Sequence, residues 1–319
     1  MRWARVERAQ AGIYAGVVAE VAIVGAGRVG VACAGSVLRQ GLASRLVFYD
    51  RNADRALGEA LDFQDASPLL PDCAVEGRPL TEAARADIAV ITAGAPPEPG
   101  ASRMSIIDHN LEVASELADA FAGALPRVAI VISNPVDVLT EFFTRAWAPR
   151  GVNVFGTGTA LDSWRLRELL AARLGVHPGS VHAWVIGEHG LSAVFPFSLA
   201  RIGPFSLRDF AARNGRSIDT AAIAEEVRRA GPHVHELKGS TSSAIALTAA
   251  RLASHVLREH GAIVPVSVRV GDCVCASLPA ELGPDGAGPA MMPELEDAEL
   301  SAWEASLGVL REAAGRIES

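Results

Sequence analysis

The stretch VAIVGAGRVG, residues 21–30, constrains this chain more than any other. A β-branched apolar run ends in Gly25, Gly27 and Gly30, spaced G-x-G-x-x-G, and a helix-length pattern follows. In a strand–turn–helix unit the first glycine makes the tight turn and the second lets the backbone approach a pyrophosphate. The third lets helix pack on strand, while the helix N-terminus faces the anion. Arg28 and Val29 sit inside this loop and belong to the same candidate site. Asp50 closes the next apolar run, RLVFYD, at the position where a carboxylate can accept both ribose hydroxyls. Taken alone it could be a turn aspartate. After the glycines it points to NAD, because a carboxylate would repel a 2′-phosphate; Arg51 beside it is the one opposing feature.

The rest of the first half repeats the alternation. EVAIVGA (20–26), RLVFYD (45–50), DIAVITAG (87–94) and RVAIVIS (127–133) read as buried strands, with helical patterns over 28–40, 52–65 and 104–124. Strand and helix in alternation predict an α/β fold, a Rossmann-type doubly wound parallel sheet. Thr92, Ala93 and Gly94, at the end of the third run, are counted with the cofactor site. After about residue 158 the pattern changes to helix (159–174), strand (181–187), long helices (219–237 and 241–259), a hairpin (262–282) and a terminal helix (293–317). The expected division is an N-terminal extension over 1–16, a dinucleotide-binding domain over 17–158 and an α+β catalytic domain over 159–319.

Composition narrows the partners. The net charge of −8 and the absence of any basic run argue against nucleic acid and against an anionic membrane. Arg2, Arg5 and Arg8 precede an apolar stretch, as in an export signal, but Glu7 and Glu20 interrupt it and the run 21–26 flows into the glycine turn. A cytoplasmic location is expected. Cysteines at 33, 73, 273 and 275 make neither a zinc pattern nor a disulfide framework, so reduced thiols and no metal are expected.

Four further stretches carry polar residues that a scaffold does not require. Asn134 ends the fourth apolar run, at the sheet edge where ligands bind in open α/β folds. Asp162 and Arg165 lie three apart, on one helix face, and His189 follows a strand in WVIGEHG. Arg103 opens a helix after the stiff loop AGAPPEPGAS, which Gly94 and Gly100 can hinge. Each has an ordinary alternative: a turn former, a surface ion pair, a structural histidine. Beside a nicotinamide site they match one chemistry, reversible hydride transfer to a 2-oxo acid. Arg165 suits the substrate carboxylate, His189 the proton transfer and Asp162 the orientation of the imidazole; Arg103 suits polarisation of the carbonyl.

With these motifs in place, the chain resembles the L-lactate/malate dehydrogenase family over residues 20 to about 315. The resemblance rests on GAGRVG, SNPVD, GTGTALDSWR, GEHG and VCASLPAELGPDG. It implies a Rossmann domain followed by an α+β domain, with Asp162 and His189 as proton relay and Arg165 as carboxylate clamp. Arg103 becomes the loop arginine, Asn134 lies near nicotinamide and substrate, and Thr241 keeps a substrate-side pattern. Pro97 stands where malate enzymes carry an arginine and lactate enzymes usually glutamine. Residues 86–102 hold no Arg or Lys, so a second carboxylate finds no cation and malate is disfavoured.

Leu191 replaces the family's usual aspartate after GEHG. Ser243 is small where lactate enzymes often carry tryptophan, and LDFQDA and ISNPVDVLT are also similar to the L-2-hydroxyisocaproate branch. The implied substrate is a small 2-oxo monocarboxylic acid, pyruvate or larger. Arg167 and His182 stand where allosteric members bind fructose 1,6-bisphosphate; interface residues without a ligand are the alternative. The resemblance further implies a homodimer or homotetramer. An NAD-dependent glycosidase is disfavoured because no cysteine falls at its metal site. A dinucleotide sensor without catalysis is disfavoured by the full polar set.

Overall fold

The structure is a computed structural model that describes residues 19–83, 85–94, 103–258, 261–271 and 274–317, the first three residues of the third segment by backbone alone. The first half runs β1 (Glu20–Val24), α1 (Arg28–Arg39), β2 (Arg45–Asp50), α2 (Ala53–Asp65), β3 (Ala74–Pro79), β4 (Ile88–Ile91), α3 (Arg103–Ala120), β5 (Val128–Val131), α4 (Val136–Trp147) and β6 (Asn153–Gly156). These strands pair in parallel in the order β3-β2-β1-β4-β5-β6. The order reverses between β1 and β4, which opens a crevice at the C-terminal strand ends.

Alternate side chains of these apolar runs go to opposite faces. Val21, Ile23, Phe48, Val90 and Ile130 pack on one side, while Ala22, Val24, Tyr49, Ile91 and Val131 pack on the other. Helices cover both faces, which is why the strands are apolar throughout instead of alternating. Each large side chain so enclosed contributes about 1.5–3 kcal/mol through removal from water.

The second half runs α5 (Ala160–Leu174), β7 (Val181–His182), β8 (Arg201–Ile202), β9 (Phe205–Ser206), α6 (Leu207–Arg213), α7 (Thr220–Lys238), α8 (Ser243–Leu257), β10 (Ala262–Val270), β11 (Val274–Gly283), β12 (Gly286–Ala287) and α9 (Asp297–Ala314). The predicted hairpin forms as β10–β11. It does not stay within the second half: β10 pairs antiparallel with β6 through Ser267 and Gly156, extending the first-half sheet to nine strands.

Other elements also differ from the sequence reading. β3 was not anticipated, because AVEGRP buries only Val75 and lacks an apolar run. β6, NVFG, has only Val154 and Phe155 as an apolar run, too short to stand out beside the glycines that follow. The strand expected over 181–187 shrinks to β7; Ile186 and Gly187 make isolated bridges to Val194 and Ser277, because the chain bends at Gly187. Among the described residues, no helix is long and apolar enough to cross a membrane.

Candidate active site

At the N-terminal end of α1, Gly25 has φ +103° and donates its N–H to the Tyr49 carbonyl. A Cβ there would lie 2.6 Å from the Ala93 nitrogen, so the turn excludes any larger residue. Gly27 caps the helix without a side-chain hydrogen bond, and a Cβ on it would meet nothing within 4 Å. The first-turn amides are thus free for an anion, and the approach is open. At Gly30 a Cβ would collide with the Gly25 carbonyl and the Thr92 hydroxyl.

Thr92 Oγ1 donates to the Gly25 carbonyl at 2.8 Å. Asp50 takes the Ala26 N–H on Oδ2 and the Asn52 N–H on Oδ1, each at 2.8 Å, and so ties the glycine loop to the end of β2. Gly25, Gly27, Asp50, Thr92, Ala93 and Gly94 line a cavity of about 300 Å³. Arg28 lies outside it: its guanidinium reaches Ser240 Oγ at 3.2 Å, ahead of α8. The Val29 side chain packs against the core, which leaves only its main chain to face a ligand. Free helix amides, an open approach at Gly27 and a carboxylate at the second strand end fit a dinucleotide.

The second cavity, about 420 Å³, brings together Asn134, Asp162, Arg165, His189 and Thr241. Asp162 lies in the first turn of α5, where the helix dipole favours a negative charge. That end of α5 is pinned to the segment before His189. The Thr159 hydroxyl donates to the Val185 carbonyl, and the Val185 N–H donates to Ser163 Oγ at 2.8 Å. The result is a 2.7 Å contact between His189 Nδ1 and Asp162 Oδ2, with Arg165 donating to the other carboxylate oxygen at 2.9 Å. Asn134 precedes a cis proline peptide, and its carbonyl accepts from Asn110 Nδ2 at 2.9 Å.

Electrostatics follow from this arrangement. Burial pushes the Asp162 carboxyl up, but His189 and Arg165 outweigh it and hold its pKa below the usual carboxylate value. Burial alone would lower the His189 pKa. The charge and hydrogen bond of Asp162, with Asp137 adding to them, raise it above the ordinary imidazole value against a smaller opposing effect of Arg165. The imidazole therefore holds its proton to higher pH than a free ring does, and Nε2 is the nitrogen not engaged by Asp162.

Arg103 is the first residue of α3, but its side chain and Pro97 both lie outside the described residues. Arg167 and His182 do not line the cavity: the Arg167 Nε donates to the Ala183 carbonyl at 2.9 Å, its guanidinium lies 4.8 Å from the centre of the Trp184 ring, and His182 is exposed. Cys33, Cys73 and Cys275 are free, and burial pushes the first two thiols up to about 12, far from thiolate chemistry at neutral pH.

The sequence reading missed several residues. Asp137, inside the quoted SNPVD motif, is 3 % exposed and accepts the His189 main-chain N–H on Oδ2 at 2.8 Å. Ser267 donates to its Oδ1 at 2.6 Å, and Ser277 Oγ accepts the Thr159 N–H at 3.0 Å. A serine within an otherwise apolar strand was the available signal for the last two. From α7, Arg228 and Gly231 also line the cavity; Arg228 donates to the Ala193 carbonyl at 3.1 Å and sits 4.7 Å from the Phe195 ring centre.

A dinucleotide crevice beside a carboxylate–imidazole–guanidinium group defines a nicotinamide-dependent dehydrogenase class of site. Residues 19–156 match the NAD-binding domain of lactate/malate dehydrogenases, and residues 159–318 match the α/β C-terminal domain of the same family. The chain belongs to the lactate/malate dehydrogenase family and carries its NAD-binding domain. It is 35 % identical over 307 residues to the L-lactate dehydrogenase of Fervidobacterium nodosum, covering 94 % of this chain and 99 % of that one. With the L-lactate dehydrogenase of Deinococcus radiodurans it shares 36 % identity, covering 92 % and 97 %. Among solved structures, a minor L-lactate dehydrogenase from Enterococcus mundtii superposes with a TM-score of 0.87 at 28 % identity, covering 94 % of this chain and 98 % of that one.

Proposed function

We propose that this protein is an NAD-dependent L-2-hydroxy acid dehydrogenase of the L-lactate type, which reversibly reduces a small 2-oxo monocarboxylic acid. The observation that carries the reading is the hydrogen-bonded group His189–Asp162–Arg165 in a cavity next to the glycine loop. When bound, reduced NAD supplies the hydride that the substrate C2 receives. His189 delivers a proton from Nε2 to the carbonyl oxygen, and in the reverse direction takes it back from the hydroxyl. Asp162 holds Nδ1–H and balances the imidazolium charge. Arg165 keeps donors beyond the one given to Asp162, and with these it grips the substrate carboxylate as a fork. Arg103 polarises the carbonyl in this reading, Asn134 and Thr241 contact substrate and nicotinamide, and Asp50 selects NAD over NADP by repelling a 2′-phosphate.

The second reading within the family is malate dehydrogenase. It is disfavoured by residues 86–102, which contain no cation. A larger substrate of the L-2-hydroxyisocaproate kind is favoured by Gly231 on the cavity wall, where even a Cβ would lie 3.9 Å from an Arg165 nitrogen; Ser243, small in the sequence, is exposed and does not line the cavity. Steady-state rates with NADH across pyruvate, 2-oxoisocaproate, phenylpyruvate and oxaloacetate test the assignment. A monocarboxylic acid is expected to be the best substrate, and preference for oxaloacetate would overturn it.

The reading includes a cytoplasmic location and a homodimer or homotetramer. Exposed Leu57 and Leu61 on α2, and an apolar groove along Leu161, Trp164 and Leu247 between α5 and α8, support such an assembly. A division at residues 17–158 and 159–319 is retained for the two functional halves. Arg167 and His182 are read first as interface residues without a ligand and second as a fructose 1,6-bisphosphate site; activation assays with the bisphosphate, repeated on Arg167→Gln, decide, and no activation, or activation unchanged by the substitution, removes the effector.

A further inference from the structure

A second buried carboxyl group lies behind the one that the reaction uses. Asp137, in the first turn of α4, is almost fully enclosed and touches neither cavity. Its two oxygens face two different parts of the chain. Oδ2 accepts the main-chain N–H of His189 at 2.8 Å, and Oδ1 accepts the Ser267 hydroxyl at 2.6 Å from β10. Both partners are donors, the arrangement that a carboxylate satisfies and a neutral carboxyl group does not need. A buried acid that merely filled space would cost more than an apolar residue of the same volume.

We propose that Asp137, held by Ser267, is a positioning residue of the proton relay: it fixes the main chain at His189 and sets a second negative charge beneath the loop that carries the imidazole. The inference rests on the reading of His189 as the proton donor and acceptor. Among the described residues, the other ionisable groups facing His189 are Asp162 and Arg165 from α5, with Arg228 and His235 of α7 on the walls of the same cavity, and buried Glu188 next in the chain. On its own helix Asp137 is followed one turn later by Glu141, which is paired with Arg145 at 2.7 Å and Arg269 at 3.3 Å. Glu141 already has its cations. Among the described residues the hydrogen-bond partners of Asp137 are the His189 N–H and the Ser267 hydroxyl, neither of them a cation, so protonated His189 is the positive charge placed to answer it.

Burial raises the Asp137 carboxyl above its usual value, against the smaller opposing effects of the Ser267 hydroxyl, the His189 N–H and the His189 charge. The Asp137 charge in turn acts with Asp162 to raise the His189 value. A carboxylate in this position stabilises the imidazolium and does little for the neutral ring. It therefore extends towards higher pH the range over which His189 can donate a proton.

The test is Asp137→Asn, which keeps the shape and an acceptor oxygen and removes the charge. The pH profile of kcat/KM for 2-oxo acid reduction is measured beside Ser267→Ala and His189→Asn. The expected result is a displacement of the profile's basic limb to lower pH by about one unit in Asp137→Asn. Ser267→Ala gives a smaller displacement in the same direction, and KM at acidic pH stays near that of the parent. An NMR titration of the His189 ring in parent and Asp137→Asn proteins reads the same shift without turnover. Unmoved profile and ring titration in a folded Asp137→Asn protein overturn the proposal. If instead His189→Asn keeps full activity, the assignment of His189 fails, which is a separate outcome. Should Asp137→Asn not fold, Ser267→Ala decides, and an unmoved profile there counts against the proposal.

Discussion

Replacing Asp162 by asparagine removes one negative charge and keeps the shape of the side chain. The carboxylate oxygen sits 2.7 Å from His189 Nδ1. The imidazolium charge is spread over its ring, so an effective separation of about 4 Å is appropriate, which at an effective dielectric constant of about 20 gives about 4 kcal/mol. The ring is 31 % exposed while Asp162 is 11 %, and screening by that solvent reduces the figure to roughly 2–3 kcal/mol. At 1.36 kcal/mol per unit, His189 should lose about 1.5–2 units of pKa.

The sign of the effect is decisive. The parent His189 pKa is raised above about 6.5, so the proton donor persists as pH climbs. In Asp162→Asn the donor disappears at lower pH, and on the basic limb, where both rings are mostly neutral, reduction of the 2-oxo acid should fall by about 30–100-fold. The deficit shrinks on acidification, because the variant imidazole regains its proton. Oxidation of the 2-hydroxy acid, which needs the neutral ring, should suffer less at high pH. Stopped-flow or steady-state rates in both directions between pH 5.5 and 9 check this. An equal loss at every pH, in both directions, would refute the electrostatic reasoning and leave Asp162 as an orienting group only.

Two other outcomes follow from the same geometry. Gly25→Ala places a methyl group 2.6 Å from the Ala93 nitrogen at φ +103°, so NADH affinity measured by fluorescence should drop by about tenfold or more, with a cost in stability of about 1–3 kcal/mol by thermal denaturation. Arg165→Lys keeps the charge and loses the fork, so KM for the 2-oxo acid should rise by about 10–100-fold with NADH binding unchanged; an unchanged KM would take Arg165 out of the carboxylate site.

Much of the candidate site was legible because the proposed chemistry needs particular residue types at fixed spacings. The glycine triplet, Asp50 and the i, i+3 pair Asp162–Arg165 declare themselves locally, and β1, β2, β4 and β5 declare themselves as charge-free β-branched runs. What was hidden depends on pairing across long sequence separations. β3 shows little apolar periodicity because it is an edge strand with one buried residue. The hairpin β10–β11 announces its own turn, but nothing within residues 262–282 says that its outer neighbour is β6. Asp137 was visible inside SNPVD and silent as to role, since its partners lie 52 and 130 residues away.

That hidden pairing explains how the proposed relay is held in place. Ser267 and Ser277 face each other across the hairpin, and each reaches a different half of the His189–Asp162 pair. Ser267 holds Asp137, which holds the main chain of His189; Ser277 holds Thr159, ahead of the turn of α5 that carries Asp162. The Ser277 main chain also exchanges both hydrogen bonds with Gly187, two residues before His189. Such close approach of three backbones requires very small residues. At Gly158, φ +47°, a Cβ would lie 2.6 Å from the Ser267 nitrogen and would strike the Ser277 hydroxyl. Any side chain there would push the hairpin off β6 and move Asp137 and α5 by different amounts. A donor–acceptor contact of 2.7 Å weakens quickly with such displacement. Gly158 is thus part of the geometry of the proposed proton relay although it cannot carry a proton.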